Sequence, residues 1–202
     1  MMIEKAKQIL ATSDSVLANI IATIPTPENL STNDVFHDLM SCIIEQQIHY
    51  RSTKKIFQKM LQKASLDTLS LENFAQLEEI AFENANFSIN KYETIERTID
   101  YFQTNKINWQ DLSDDEIIEK LSSIKGIGKW TIDMILLYTL QRPNVFPYDD
   151  FHLKEIMVRL YGLNPNVKLK KQMLDISNTW HEHKSLAVNY LLSWKVFNKQ
   201  IK

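Results

Sequence analysis

The chain has 202 residues, 44% hydrophobic and 24% charged, the balance of a soluble globular protein with one large domain or two small lobes. Three glycines and five prolines are too few for the turns of a sandwich, a barrel or a Rossmann sheet, which leaves an all-helical protein. A single cysteine, Cys42, excludes a disulfide framework, a cysteine-based zinc site and a four-cysteine iron–sulfur cluster. No apolar run approaches the ~18 residues of a membrane span. With 23 basic and 25 acidic residues, any face for nucleic acid has to be local.

Taken in chain order, the N-terminus MMIEKAKQ turns charged at once, which points to a cytosolic-type location with no targeting segment. Val16, Leu17, Ile20, Ile21 and Ile24 make a helical stripe that Pro25 and Pro27 end. Val35 to Ile44 make a second, after the capping residues Ser31 to Asp34, and Ile56 to Leu61 a third. Short helices are predicted over Leu71–Gln76 and Leu77–Glu83, then one from Ser88 or Asn90 to Phe102. Ser113 with Glu116 is a capping box opening a helix to about Ser123. Gly128–Leu140, Asp150–Tyr161, Asn166–Trp180 and Lys184–Asn198 complete about ten helices with no convincing strand.

Two of the three glycines, Gly126 and Gly128, fall in Ile124-Lys125-Gly126-Ile127-Gly128-Lys129-Trp130, where one helix ends and the next begins. The first suits a positive φ at a helix C-terminus; the second lets another group approach the next N-terminus closely. Exposed amides there, with the helix dipole behind them and Lys125 and Lys129 beside them, suit an anion, although the same turn serves any helical hairpin. Asp149 and Asp150 follow 21 and 22 residues after Gly128, behind Pro147, and open the next helix. One cap needs one Asp, so the second is available for another task or simply favours the dipole. Trp130 and Met134 share a helix face, and taken alone they read as core.

The segment Leu121 to Thr131 resembles the helix–hairpin–helix of the DNA glycosylase superfamily. With Trp130 after Gly-Ile-Gly-Lys, it is similar to the 3-methyladenine DNA glycosylase II (AlkA-like) branch in a compact form. The likeness extends from about Phe36 to Trp194. It implies two helical lobes around a cleft: a central one over about 36–145, with the hairpin at 116–140, and a second built from 1–35 and 146–202.

In this likeness the hairpin amides at Gly126 and Gly128, helped by Lys125 and Lys129, grip a DNA phosphate. The matching catalytic position is Asp150, with Asp149 as its cap or support. Trp130, Met134 and Tyr148 line the pocket for the flipped base. Trp194, from a helix similar to the family's Arg-Ser-x-Ala…Trp helix, stacks there or belongs to the core. The residues from Phe36 to His49 match a helix end whose Gln47 fills the gap left by the flipped nucleotide, with His49 replacing the usual Ser. His152 contacts a phosphate or is solvated, and Lys54, Lys55, Lys59 and Lys63 give one helix a basic side.

Bifunctional relatives carry a nucleophilic Lys where this chain has Trp130. Lys129 lies one residue earlier, about 100° around the helix axis. The implied activity is therefore monofunctional: release of alkylated purines of the 3-methyladenine and 7-methylguanine type, leaving an abasic site. It needs neither cofactor nor metal. The implied partner is double-stranded DNA, met by a monomer in a cytoplasmic, nucleoid-associated setting. A non-catalytic helix–hairpin–helix module binding damaged or structured DNA is the alternative, and a glycosylase for uracil or an oxidised purine a third reading.

Overall fold

Capping side chains set five of the helix starts. The computed structural model describes residues 2–45, 50–82 and 87–200, with side chains outside 50–55 and 199–200. The expected wedge residue Gln47, and His49 with it, lie outside the described residues. Within them the fold is all-helical, with eleven α-helices and no strand.

Helix α1 (Met2–Ser13), not singled out by the apolar stripes, is divided from α2 (Ser15–Thr23) by Asp14 alone. Asp14 is extended, and its Oδ1 accepts the Val16 and Leu17 amides at 2.9 and 3.0 Å. Helix α3 (Val35–Ile44) starts at Asp34, whose carboxylate accepts the His37 amide. Helix α4 (Tyr50–Lys63) follows, then α5 (Phe74–Leu77), shorter than expected, which runs into a π-helical turn over Glu78–Phe82. Ser88 caps α6 (Ile89–Thr104) through the Lys91 amide. The Ser113–Glu116 box closes both ways at the start of α7 (Asp114–Ser122).

The continuous helix expected over Gly128–Leu140 is α8 (Lys129–Met134) followed by a π-helical turn over Ile135–Thr139, closed by Leu140 N–H to Ile135 O. Helix α9 (Phe151–Tyr161) ends on left-handed Gly162, φ +63°. Helix α10 (Leu169–Ser177) starts three residues later than expected, because Lys168 is itself left-handed at φ +44°. Helix α11 (Lys184–Gln200) closes the fold. Among the described residues no helix is long and apolar enough to cross a membrane.

The chain divides into two units, Ser31–Leu140 and a discontinuous one from Met1–Leu30 with Gln141–Lys202. In the continuous unit α3 packs on α6, α4 and the π-turn after α8, burying Leu39, Met40 and Ile43 completely or nearly so. Its ends meet, since Ser31 Oγ donates to Thr139 O at 2.5 Å. Asp38, 4% exposed, accepts the Thr32 and Thr139 hydroxyls on one oxygen.

The discontinuous unit packs α1 on α2 and α11 on α2 and α9. Its buried polar centre is Asp14, whose Oδ2 accepts both Tyr161 Oη and Trp180 Nε1 at 2.8 Å. Burial, with the Asp14 carboxylate adjacent, holds the Tyr161 phenol protonated far above its ordinary range. Trp180 is fully buried there, edge-on to Phe146.

Candidate nucleic-acid site

The hairpin between α7 and α8 is pinned from below by apolar side chains. Leu121, Ile124 and Ile127 are all at or below 7% exposure, while Lys125, Gly126, Gly128 and Lys129 between them are exposed. Gly126 has φ +107°, and a Cβ there would stand 2.2 Å from Thr94 Oγ1. Only glycine satisfies both the backbone and that neighbour. Gly128 is different: it is extended, it caps α8 without a side chain, and a Cβ on it would meet nothing within 4 Å. The first main-chain bond of α8 is Ile132 N–H to Gly128 O, so the amides before it stand at the positive end of the helix.

Charge around the hairpin is arranged by neighbouring side chains, two pairs of them at i,i+4 spacing. Arg97, paired with Glu93 at 2.6 Å, reaches the Lys125 carbonyl at 3.5 Å across 28 residues of sequence. Lys129 is bound to Asp133 at 2.5 Å, one turn on, and Asp133 is 6% exposed. Trp130 is half-buried and Met134 only 2% exposed, beside Ile132 and Ile135 in the core. Lys59 and Lys63 are exposed on α4; Lys54 and Lys55 fall outside the described side chains. At the end of α3, Lys91 Nζ donates to Ile44 O at 2.8 Å, and Glu45 accepts the Phe57 amide.

The acidic pair lies in the other unit, and the structure corrects one expectation there. Asp150, not Asp149, is the N-cap of α9: it is extended, and its Oδ1 accepts the Leu153 amide at 2.7 Å. The reason is where α9 begins, since Asp150 is the last residue with non-helical angles and so points back at the N3 amide. Asp150 is 8% exposed. Asp149 is exposed and faces Lys154 at 3.7 Å.

Three more expected site residues are in that unit. Tyr148 is half-buried, with the Lys170 ammonium 4.0 Å from its ring centroid. Trp194 is half-buried under the Arg159 guanidinium at 5.5 Å, while Leu192, two residues earlier, is 8% exposed. His152 is bound at Nδ1 by Lys195 Nζ, 2.6 Å away, a partner 43 residues distant to which no local spacing points. The hairpin residues thus come together in the continuous unit, and Tyr148, Asp150, His152 and Trp194 in the discontinuous one.

Comparison with known proteins decides the family. Residues 40–182, more than two thirds of the chain, match the model of the HhH-GPD superfamily base excision DNA repair proteins. The chain belongs to that superfamily. Among relatives, it is 26% identical over 186 residues to DNA-3-methyladenine glycosylase 1 of Schizosaccharomyces pombe, covering 89% of this chain and 79% of that protein.

Solved structures agree on the HhH-GPD fold. A DNA-3-methyladenine glycosidase from Bacillus halodurans is 26% identical with a TM-score of 0.71, covering 93% of this chain and 87% of that one. The S. pombe 3-methyladenine DNA glycosylase in complex with abasic DNA has a TM-score of 0.81 at 23% identity, covering 93% and 95%. In this HhH-GPD protein the superfamily match spans both the hairpin and the start of α9.

Proposed function

We propose that the protein is a monofunctional DNA N-glycosylase of the 3-methyladenine DNA glycosylase II type, excising alkylated purines from double-stranded DNA and leaving an abasic site. The observation that carries this reading is Asp150: a carboxylate 8% exposed, fixed by a 2.7 Å bond to the Leu153 amide, at the positive end of an eleven-residue helix.

An alkylated purine such as 3-methyladenine or 7-methylguanine is already cationic and leaves as a neutral base. Protonation of the leaving group is therefore unnecessary. The enzyme has to stabilise an oxocarbenium-like sugar and the water that adds to it, and a fixed negative charge in a water-poor site does this. Reaching the bond requires the nucleotide to leave the stack, and an aromatic ring such as that of Trp130 attracts a cationic base by about 0.5–2 kcal/mol.

The amides behind Gly128 hold a phosphate and position the duplex without reading sequence. Lys125 supports that grip. Lys129, occupied by Asp133 at 2.5 Å, supplies no free amine for a lyase step, and Trp130 stands at the position where bifunctional relatives carry the nucleophile. The protein acts as a monomer, in a cytoplasmic, nucleoid-associated setting.

The test is Asp150→Asn, scored by free base released from methylated DNA. Asn keeps the cap, so folding is expected to be unchanged while release falls by about 10²–10³-fold, roughly 2.7–4 kcal/mol. Release at the wild-type rate in that variant would overturn the assignment and favour the non-catalytic DNA-binding module. Strand scission without alkali would overturn the monofunctional part.

A further inference from the structure

We propose that Asn189 on α11 is a specificity-determining residue, whose side-chain Oδ1 accepts a hydrogen bond from the exocyclic amine of the purine being excised. The proposal rests on the glycosylase reading above, which supplies the purine.

Asn189 is 8% exposed, and its Oδ1 is buried with no hydrogen bond from any described residue. Buried acceptors in folded proteins are paired almost throughout, because an acceptor taken from water and left unmet costs stability. Asp38 Oδ1, in the continuous unit, is also unmet, but its carboxylate already holds two hydroxyls on the other oxygen. Asn189 has no such compensation at Oδ1. A polar side chain kept in this state is explained by a partner that arrives from outside the chain.

The course of α11 places Asn189 beside the segment that carries Asp150. At the start of the helix, Ser185 N–H donates to Pro143 O at 3.0 Å, and Ser185 Oγ accepts the Val145 amide at 2.9 Å. Towards its end, Lys195 Nζ is bonded to His152 Nδ1 and Glu155 Oε2 at 2.6 and 2.5 Å. One flank of α11 is thus stitched to 142–145 and then to 152–155. Asn189 lies between the two stitches, about 6 Å along the axis from Ser185 and about 9 Å from Lys195, and only about 40° around from Ser185. Tyr190, a further 100° or so around, turns instead to Thr26, its hydroxyl 3.2 Å from Thr26 Oγ1. Asn189 is therefore on the flank that runs alongside 146–151, and shares its unit with Asp150.

An oxygen acceptor selects for an N–H. Asp150 has to stand against the sugar carbon, and the base still joined to that carbon extends away from the carboxylate. An amide on the neighbouring helix then meets the edge of the base, where an exocyclic amine is the available donor.

The experiment uses the full chain and two duplexes, one with 7-methylguanine and one with 7-methylhypoxanthine opposite cytosine. Both bases are cationic and leave neutral, so they differ at the amine alone. Hypoxanthine pairs more weakly with cytosine, which eases its flipping and works against the expected preference. The wild type is expected to release 7-methylguanine faster by at least about tenfold in single turnover. Asn189→Leu is expected to remove that preference by slowing 7-methylguanine alone. It should also raise Tm by roughly 2–4 °C, since an apolar side chain of similar size replaces an unmet amide. A side chain kept only for packing would not combine greater stability with lost selectivity. Asn189→Ala leaves a gap and lowers Tm, yet loses the same preference, which keeps the test open if Leu is not accommodated.

Equal release of the two bases by the wild type, or the same preference in both variants, would overturn the proposal and leave the glycosylase reading intact. Variants that are less stable and slowed alike on both bases would overturn it too, by showing that the amide serves packing. A wild type that released neither base would overturn the glycosylase reading and this proposal with it.

Discussion

Gly126 and Gly128 lie two residues apart in one hairpin, and Asp149 and Asp150 are adjacent at one helix start, yet the pairs divide their work in opposite directions. In the hairpin the inward member is architectural: Gly126 is locked by its positive φ and by Thr94, while outward Gly128 has open space where another molecule can come close. In the acidic pair the inward member is the chemical candidate. Asp150 is buried and bonded to an amide, whereas Asp149 is exposed beside Lys154. The contrast is the one that the proposed function calls for. Gripping a phosphate needs accessible amides and leaves no room for a side chain, while stabilising a developing cation needs a charge withdrawn from water.

That contrast can be broken at three points. Gly126→Ala is expected to have the largest effect, about 3 kcal/mol of lost stability in denaturant unfolding, because Ala meets both a left-handed backbone and the Thr94 side chain. Pairing it with Thr94→Ala should recover part of the loss and leave the backbone strain. Gly128→Ala comes next: its φ of −95° accepts any residue, so stability should fall by at most about 1 kcal/mol, from the poorer cap. Affinity for duplex DNA should nevertheless drop by roughly tenfold, as a titration of a labelled abasic duplex would show, because the methyl group occupies the phosphate's approach. The smallest effect belongs to Asp149→Asn, expected within about 0.5 kcal/mol in stability, with base release unchanged. A large loss of release there would return the catalytic role to the exposed acid.

Much of the helical frame was legible because its signals are local. Ser88, Asp34 and the Ser113–Glu116 box start helices where their side chains reach the third amide, and Gly162 ends α9 by going left-handed. The hairpin was legible for a compositional reason, since a chain with three glycines spent two of them there. The contacts that support the site were not legible, because they join residues far apart. Asp14 meets Tyr161 and Trp180 across 147 and 166 residues, and Thr139 meets Asp38 across 101. The π-turn after Met134 also escaped, since an apolar stripe reads alike whether the turn closes on the fourth or the fifth residue. The cap within the acidic pair was not legible, because either Asp could start α9 and only the backbone angles distinguish them.

Ser31 and Thr139 touch, and on the other side of the same two crossings Gln141 Nε2 donates to Asn29 O at 2.6 Å. The block Ser31–Leu140 is therefore threaded into its host as a single excursion whose entrance and exit are stapled together. In the topology of the discontinuous unit that whole excursion is equivalent to a short loop between Asn29 and Gln141, and those bonds offset part of the entropic penalty for closing it. Both crossings of the chain between the two units are thus held by a bond on each side, one within Ser31–Leu140 and one within the discontinuous unit.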